Sequence, residues 1–129
     1  MFSAIILAAI TPQARIDRIA DHLRSANPVL CGNGSCPAPV AADTPGCGHA
    51  KGFTVKIDPG CLARLTDDEA AFVLAHEWGH VSSGTRDEQV ADGFAWVVVA
   101  NAGLNPRSAS QVFLTMKAPH RLARITGEE

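Results

Sequence analysis

Residues 66–100 constrain the fold most, because they encode two successive helices joined by a very short loop. Thr66 and Glu69 form a capping box, and apolar residues then recur at helical spacing. This pattern predicts a helix over residues 67–81. After the loop SSGT, a second helix is predicted over residues 86–100. So short a loop folds the start of the second helix back against the end of the first.

The first of these helices carries the motif His-Glu-x-x-His. His76 and His80 are four residues apart, so at about 100° per residue their rings lie within about 40° of each other on one face. Two neutral imidazoles suit zinc, which in catalytic sites takes three protein ligands and keeps one position for water. Glu77, beside the first histidine, is the expected general base for that water. The mid-helix Gly79 predicts close approach of another segment.

The third metal ligand is expected at the start of the second helix, which offers three carboxylates. Glu88 and Asp92 are four residues apart and share a helix face, whereas Asp87 points about 100° away. We therefore expect Glu88 to complete a site of two histidines and one glutamate. Asp92 is expected behind it, accepting the free N–H of a ligating histidine. The alternatives are ordinary helix histidines and a solvated acid near a helix N-terminus.

The remaining patterns predict an α+β domain that is mainly helical and has a short β-sheet. Further helices are expected over residues 12–26 and 106–116, because each begins at a capping residue followed by proline. Residues 32–52 are rich in glycine, proline and cysteine and predict turns. The predicted strands are residues 29–31, 39–42 and 53–57. The last of these, FTVKI, is also expected to be the sheet edge on which an extended peptide adds.

The cysteines and the N-terminal residues indicate in which cellular compartment the protein resides. The four cysteines are Cys31, Cys36, Cys47 and Cys61. They allow three disulfide connectivities, among which the spacing does not choose; a second metal site is less favoured because no C-x2-C pair is present. Residues 1–14 contain FSAIILAAI, which has the length of a signal-peptide core, and the alternative is an apolar segment packed on the domain. We expect an exported, periplasmic or extracellular protein with one domain over residues 15–129; a cytoplasmic protein with free thiols is the alternative.

The composition limits the kinds of partner that we expect the protein to bind. With 129 residues, a net charge of −2 and no apolar run of membrane-spanning length, the chain predicts neither a nucleic-acid partner nor an integral membrane span. There is no tyrosine, so a hydrolase built on this chain needs another donor for the oxyanion of the tetrahedral intermediate. The basic tail offers His120, Arg121 and Arg124, and we choose His120 among them.

Beyond its motifs, the sequence resembles the zinc metallopeptidases that include the CAAX prenyl endopeptidase, heat-shock protease X and the Oma-type proteases. These gluzincins carry HExxH on one helix and ExxxD on the next; the matching segments here are HEWGH (76–80) and EQVAD (88–92). LARLTDDEAAFVLAHEWGHV and EQVADGFAWVVVANAGLNPRSASQVFLTM are similar to the family patterns around those motifs. Many family members insert a long helical segment where this chain has only residues 81–87.

The resemblance implies a zincin-like fold and a zinc-dependent metalloendopeptidase acting on peptides or unfolded proteins. It implies that His76, His80 and Glu88 bind Zn²⁺, that Glu77 is the general base and that Asp92 orients a ligand. The alternative from another class of protein is a catalytically silent, zinc-stabilised domain that binds a peptide or a partner.

Overall fold

The computed structural model describes residues 10–115 and 119–126, so the apolar run at the N-terminus lies outside the described residues. The helices are α1 (Pro12–Ala26), α2 (Pro59–Leu62), α3 (Asp67–Ser83), α4 (Glu88–Asn101), α5 (Pro106–Ala109), α6 (Val112–Thr115) and α7 (Pro119–Thr126). The strands are β1 (Pro39–Ala41), β2 (Gly48–Lys51) and β3 (Thr54–Ile57). This is the predicted α+β fold, mainly helical with a small sheet. Among the described helices, none combines the length and apolarity needed to cross a bilayer.

The order of the sheet is β1-β3-β2, with β1 parallel and β2 antiparallel to β3. The prediction that FTVKI is an edge strand is therefore wrong, because β3 is paired on both sides. The outer edge of β1 is covered by the side-chain amide of Gln13, which donates to Pro39 O (2.9 Å) and accepts from Ala41 N (2.8 Å). On the outer edge of β2, which packs on α3, Ala50 O accepts from Nη1 of Arg86 (2.7 Å), so a further strand could pair with the part of the edge that precedes this carbonyl.

The cysteine-rich segment departs from expectation in two places. The predicted strand over residues 29–31 is wrong: these residues form a turn before the 3₁₀ segment Gly32–Gly34. Strand β2 was not predicted, since it has four residues and begins with glycine. A disulfide between Cys47 and Cys61 ties the start of β2 to α2, and Gly52, at φ +59°, closes a two-residue hairpin turn into β3. The other disulfide joins Cys31 and Cys36.

Three predicted helices have different bounds in the structure. Helix α3 runs two residues further than predicted, to Ser83. Helix α4 begins at Glu88 rather than residue 86, because the Asp87 side chain caps it by accepting from Gln89 N (2.9 Å) and Val90 N (3.3 Å). The helix predicted over residues 106–116 is divided into α5 and α6. At the break, the hydroxyl of Ser110 donates to Arg107 O (2.9 Å), a local bond that competes with helix continuation. The basic tail, for which no element was predicted, forms α7.

The core lies between α3, α4, α1 and the inner face of the sheet. Trp78 on α3 is fully buried, and its indole N–H donates to Pro37 O (2.9 Å). Helix α4 crosses α3 at Gly79, where an added Cβ would lie 2.8 Å from the Cα of Ala91. The close approach predicted from this mid-helix glycine is thus confirmed. It allows the N-terminal part of α4 to lie directly against the histidine face of α3.

Candidate metal centre

Three side chains predicted to be ligands lie together at the crossing of α3 and α4. One donor atom from each of His76, His80 and Glu88 falls within 4.8 Å of the others. Nε2 of His80 is 2.7 Å from Oε1 of Glu88, and Nε2 of His76 is 3.5 Å from Oε2 of the same carboxylate. Both histidines are buried, whereas the Glu88 side chain is half exposed. The cluster therefore opens to solvent on the Glu88 side.

The spacing of these atoms suits a tetrahedral ion such as zinc. Donors bound to one zinc at bond lengths of about 2.0–2.2 Å stand roughly 3.3 Å apart. The 3.5 Å separation of His76 and Glu88 meets this requirement, and the 2.7 Å separation of His80 and Glu88 widens to it with a small rotation of the exposed carboxylate. Two imidazoles and one carboxylate are also a ligand set found in catalytic zinc sites. The residues present fit the ion.

A hydrogen bond on the far side of each ring fixes both imidazoles. Nδ1 of His76 donates to Oδ1 of Asp92 (2.8 Å), and Nδ1 of His80 donates to the carbonyl oxygen of Thr85 (2.8 Å). Each bond leaves Nε2 as the nitrogen that faces Glu88, which is the tautomer that metal binding requires. The contact of Asp92 with His76 matches the prediction; the Thr85 carbonyl gave no sequence signal, because a backbone group of any residue can serve.

Arg121 on α7 holds Asp92 in place. Its guanidinium donates to both carboxylate oxygens, Nη2 to Oδ1 at 2.6 Å and Nε to Oδ2 at 3.2 Å, and its Nη1 lies 3.4 Å from Oε2 of Glu88. Arg121 is buried, and Arg124 lies 3.5 Å from Asp92 on the outer side. The tail helix thus reaches the centre through a buried, charge-assisted ion pair, and removal of either partner would leave the other charge buried and unpaired.

His120, predicted as the oxyanion donor, lies one residue before Arg121 but is exposed. Within residues 10–115 and 119–126, no hydrogen bond or ion pair joins it to the cluster. The choice of His120 over Arg121 and Arg124 rests on residue chemistry alone. The helical turn of α7, which alone decides which of them faces the centre, was not predicted.

Glu77 is buried beside the cluster, with Oε2 3.9 Å from Nε2 of His76. Strand β2 covers it: an added Cβ at Gly48 would lie 3.0 Å from Cγ and 3.2 Å from Oε2 of Glu77. Burial raises the pKa of the Glu77 carboxyl, and the neighbouring His76 and His80 oppose the rise. A carboxylate with a raised pKa next to a metal cluster has the properties of a general base.

Without a metal, His76 is the residue of the cluster that holds a proton. Burial disfavours the charged form of His76, but hydrogen bonds to Asp92 and Glu88 outweigh it and raise the pKa of His76 to about 9. The same contact with His76, against the opposing effect of burial, lowers the pKa of Glu88 to about 2. A metal ion bound here takes the place of that proton, since a ligating imidazole is neutral.

A family model described as peptidase family M48 matches residues 46–86, less than half of the chain. No curated protein and no solved structure gives a match. The matched part includes β2, β3 and α3, and therefore His76, Glu77 and His80, and it ends just before Glu88. The match supports a relationship to this peptidase family through the His-Glu-x-x-His half of the centre. The assignment of Glu88 and Asp92 to the centre rests on the geometry alone.

Proposed function

We propose that the protein is a zinc-dependent metalloendopeptidase of the gluzincin type, similar to the CAAX prenyl endopeptidase, heat-shock protease X and Oma-type enzymes. The convergence of His76, His80 and Glu88, with the buried Glu77 beside them, carries the proposal. The match to peptidase family M48 over residues 46–86 supports hydrolysis of a peptide bond as the reaction.

Each residue of the centre has a proposed role. When bound, zinc lowers the pKa of a water towards about 7 and polarises the scissile carbonyl. Glu77 takes the proton from that water and passes it to the leaving amine, a role that its raised pKa favours. Asp92 holds the ring of His76 so that Nε2 faces the ion, and Arg121 holds Asp92.

An extended segment of a peptide or unfolded protein is the proposed substrate, bound along β2. Asp58 N donates to Cys47 O (2.8 Å), so Cys47 is hydrogen-bonded towards β3. In an antiparallel pair, only every second residue of a strand bonds to its neighbour. The N–H and C=O groups of Gly48 and Ala50 therefore point away from β3. Gly48 lies directly over Glu77. A peptide paired with this edge would therefore carry its main chain past the general base.

The donor that stabilises the oxyanion is proposed to be His120. It stands on the first turn of α7 beside the residue that enters the centre, and its exposed ring is free to turn towards a bound substrate. Replacing His120 with alanine should lower kcat with little change in zinc content. Unchanged kcat would remove His120 from the mechanism.

Two disulfides favour an exported protein, because such bonds persist in oxidising compartments. The competing proposal, a catalytically silent zinc-stabilised domain, gives no reason for a buried carboxylate at Glu77 next to the three ligands. We therefore prefer the enzyme.

Comparison of the zinc-loaded protein with its Glu77→Gln variant on unfolded casein tests the proposed function. We expect about one zinc per chain in both proteins and cleavage only by the unmodified protein, because glutamine keeps the shape of the side chain but accepts no proton. Cleavage by both proteins would exclude Glu77 as the base. Zinc binding without cleavage in either would favour the silent domain.

A further inference from the structure

A pocket of about 270 Å³ lies between the β2–β3 hairpin and the loop that joins α3 to α4. It adjoins His80 of the candidate ligand cluster. Its lining residues come from both segments and include Ala50, Phe53, His80, Val81 and Arg86. His80, a proposed zinc ligand, forms part of its wall, so the pocket lies beside the proposed zinc site. The loop is short, so the start of α4 lies next to the hairpin. The pocket is formed between them.

The positively charged guanidinium of Arg86 lies at one end of the pocket. Nη1 of Arg86 donates to Ala50 O (2.7 Å), which places the guanidinium against the edge of β2. The two acids that follow it in sequence are engaged elsewhere: Asp87 caps α4, and Glu88 faces the histidines. Within residues 10–115 and 119–126, no carboxylate lies within ion-pair distance of Arg86. Its remaining N–H donors are therefore available to a ligand.

The rest of the wall is apolar. The ring of Phe53 stands at the tip of the hairpin and is 71% exposed, although the turn itself requires only the glycine before it. Val81 and the buried Ala50 continue this apolar surface towards the metal cluster. An aromatic wall next to an unpaired guanidinium suits a short aliphatic chain that ends in a carboxylate.

Arg86 also marks where the open edge of β2 ends. Ala50 O is one of the backbone groups that point away from β3, and Arg86 already bonds it. A peptide paired with β2 would thus have Gly48 and the N–H of Ala50 as partners, and beyond them it would meet the guanidinium of Arg86. The pocket would then lie next to the part of the peptide that passes Glu77.

Building on the proposed peptidase function, we propose that this pocket is a specificity subsite for a carboxylate of the substrate, with Arg86 as its receptor and Phe53 as its wall. The carboxylate belongs either to a glutamate or aspartate side chain next to the cleaved bond or to the C-terminus of a short peptide. Both sources present the same group to the same guanidinium. Amidation of the C-terminus removes the terminal carboxylate but leaves a side-chain carboxylate in place, and so distinguishes them.

Binding of fluorescein-labelled peptides to zinc-loaded Glu77→Gln protein, followed by anisotropy, tests the subsite without turnover. The peptides place glutamate or glutamine at each position along one neutral sequence, with a free or an amidated C-terminus. We expect a carboxylate at one position, or at the free C-terminus, to tighten binding about five- to tenfold, as for a partly exposed charged hydrogen bond. Adding Arg86→Gln should reduce this preference to less than twofold, and Arg86→Lys should retain part of it.

Two further variants serve as controls. Arg64→Gln removes an exposed positive charge outside the pocket and should leave the preference unchanged. Phe53→Ala should weaken glutamate and glutamine peptides alike, because it removes the wall and keeps the receptor.

Equal affinity for glutamate and glutamine peptides, or a preference that persists in Arg86→Gln, would overturn the subsite. Tighter binding of every peptide to Arg86→Gln would also overturn it, and would show that Arg86 covers the edge of β2 instead. An Arg86-dependent preference together with no casein cleavage by the unmodified protein would sustain the subsite and reject the peptidase. Failure of one proposal is thus separable from failure of the other.

Discussion

Replacement of Gly79 by alanine tests how the two helices bring the ligands together. Alanine in mid-helix gains about 1 kcal/mol over glycine in intrinsic propensity. Here, however, the new methyl would lie 2.8 Å from the Cα and 3.0 Å from the carbonyl oxygen of Ala91, which are backbone atoms that no side-chain rotation removes. Overpacking of this kind costs typically 1–3 kcal/mol, and backbone contact puts it at the upper end. We expect a net loss of about 1–2 kcal/mol in the free energy of unfolding.

Gly93 on α4 provides the matched control. It is also a mid-helix glycine, but an added Cβ there meets nothing within 4 Å. Gly93→Ala should therefore gain the full propensity term and stabilise the fold by about 1 kcal/mol. The two variants carry the same chemical change and should shift stability in opposite directions.

Thermal unfolding followed by circular dichroism in the presence of a chelator measures both effects without the added stability of bound zinc. For a domain of this size we expect the Tm to fall by roughly 3–8 °C in Gly79→Ala and to rise by roughly 3–5 °C in Gly93→Ala. Zinc affinity should fall in the first variant alone, since α4 carries Glu88. Stabilisation of both proteins would refute the close crossing of α3 and α4.

Three further predictions concern the centre. Glu88→Gln should weaken zinc binding at least tenfold in a chelator competition, whereas Asp87→Asn, which preserves the cap of α4, should change it less than threefold; the reverse order would contradict the choice of ligand. Arg121→Leu should weaken zinc binding about 10–100-fold while the protein still folds, because Asp92 loses its clamp; unchanged affinity would make Arg121 merely structural. Because the pKa of His76 is raised to about 9 in the metal-free protein, zinc must displace its proton. Calorimetry at pH 7 in buffers of different ionisation enthalpy should show about one proton released, and apparent affinity should rise up to about tenfold per pH unit towards pH 9; no proton release would contradict a protonated His76 in the metal-free protein.

The same raised pKa affects stability without metal. Protonated His76 stabilises the folded state fully below pH 6.5 and loses this contribution as pH rises through about 9. Metal-free protein should therefore have a lower Tm at pH 9 than at pH 7, with part of the difference removed in Asp92→Asn. A Tm that does not fall across this range would contradict the ion pairs of His76.

The sequence predicted those parts of the centre that depend on helical periodicity. The placement of His76 and His80 on one face, and of Glu88 and Asp92 on the facing helix, follows from local spacing and one short loop. The sequence patterns did not predict which strand forms the sheet edge, because β2 depends on a disulfide and a hairpin turn rather than on alternating residues. They also did not distinguish Arg121 from its basic neighbours, since its role depends on how α7 packs against α4.

Anomalous diffraction at the zinc edge from crystals of the zinc-loaded protein tests the central claim most directly. We predict a single zinc position bonded to Nε2 of His76, Nε2 of His80 and a carboxylate oxygen of Glu88 at about 2.0–2.2 Å, with Glu77 beside it but not bonded. Zinc bound through Nδ1, through Asp92 in place of Glu88, or away from the crossing of α3 and α4 would contradict the account.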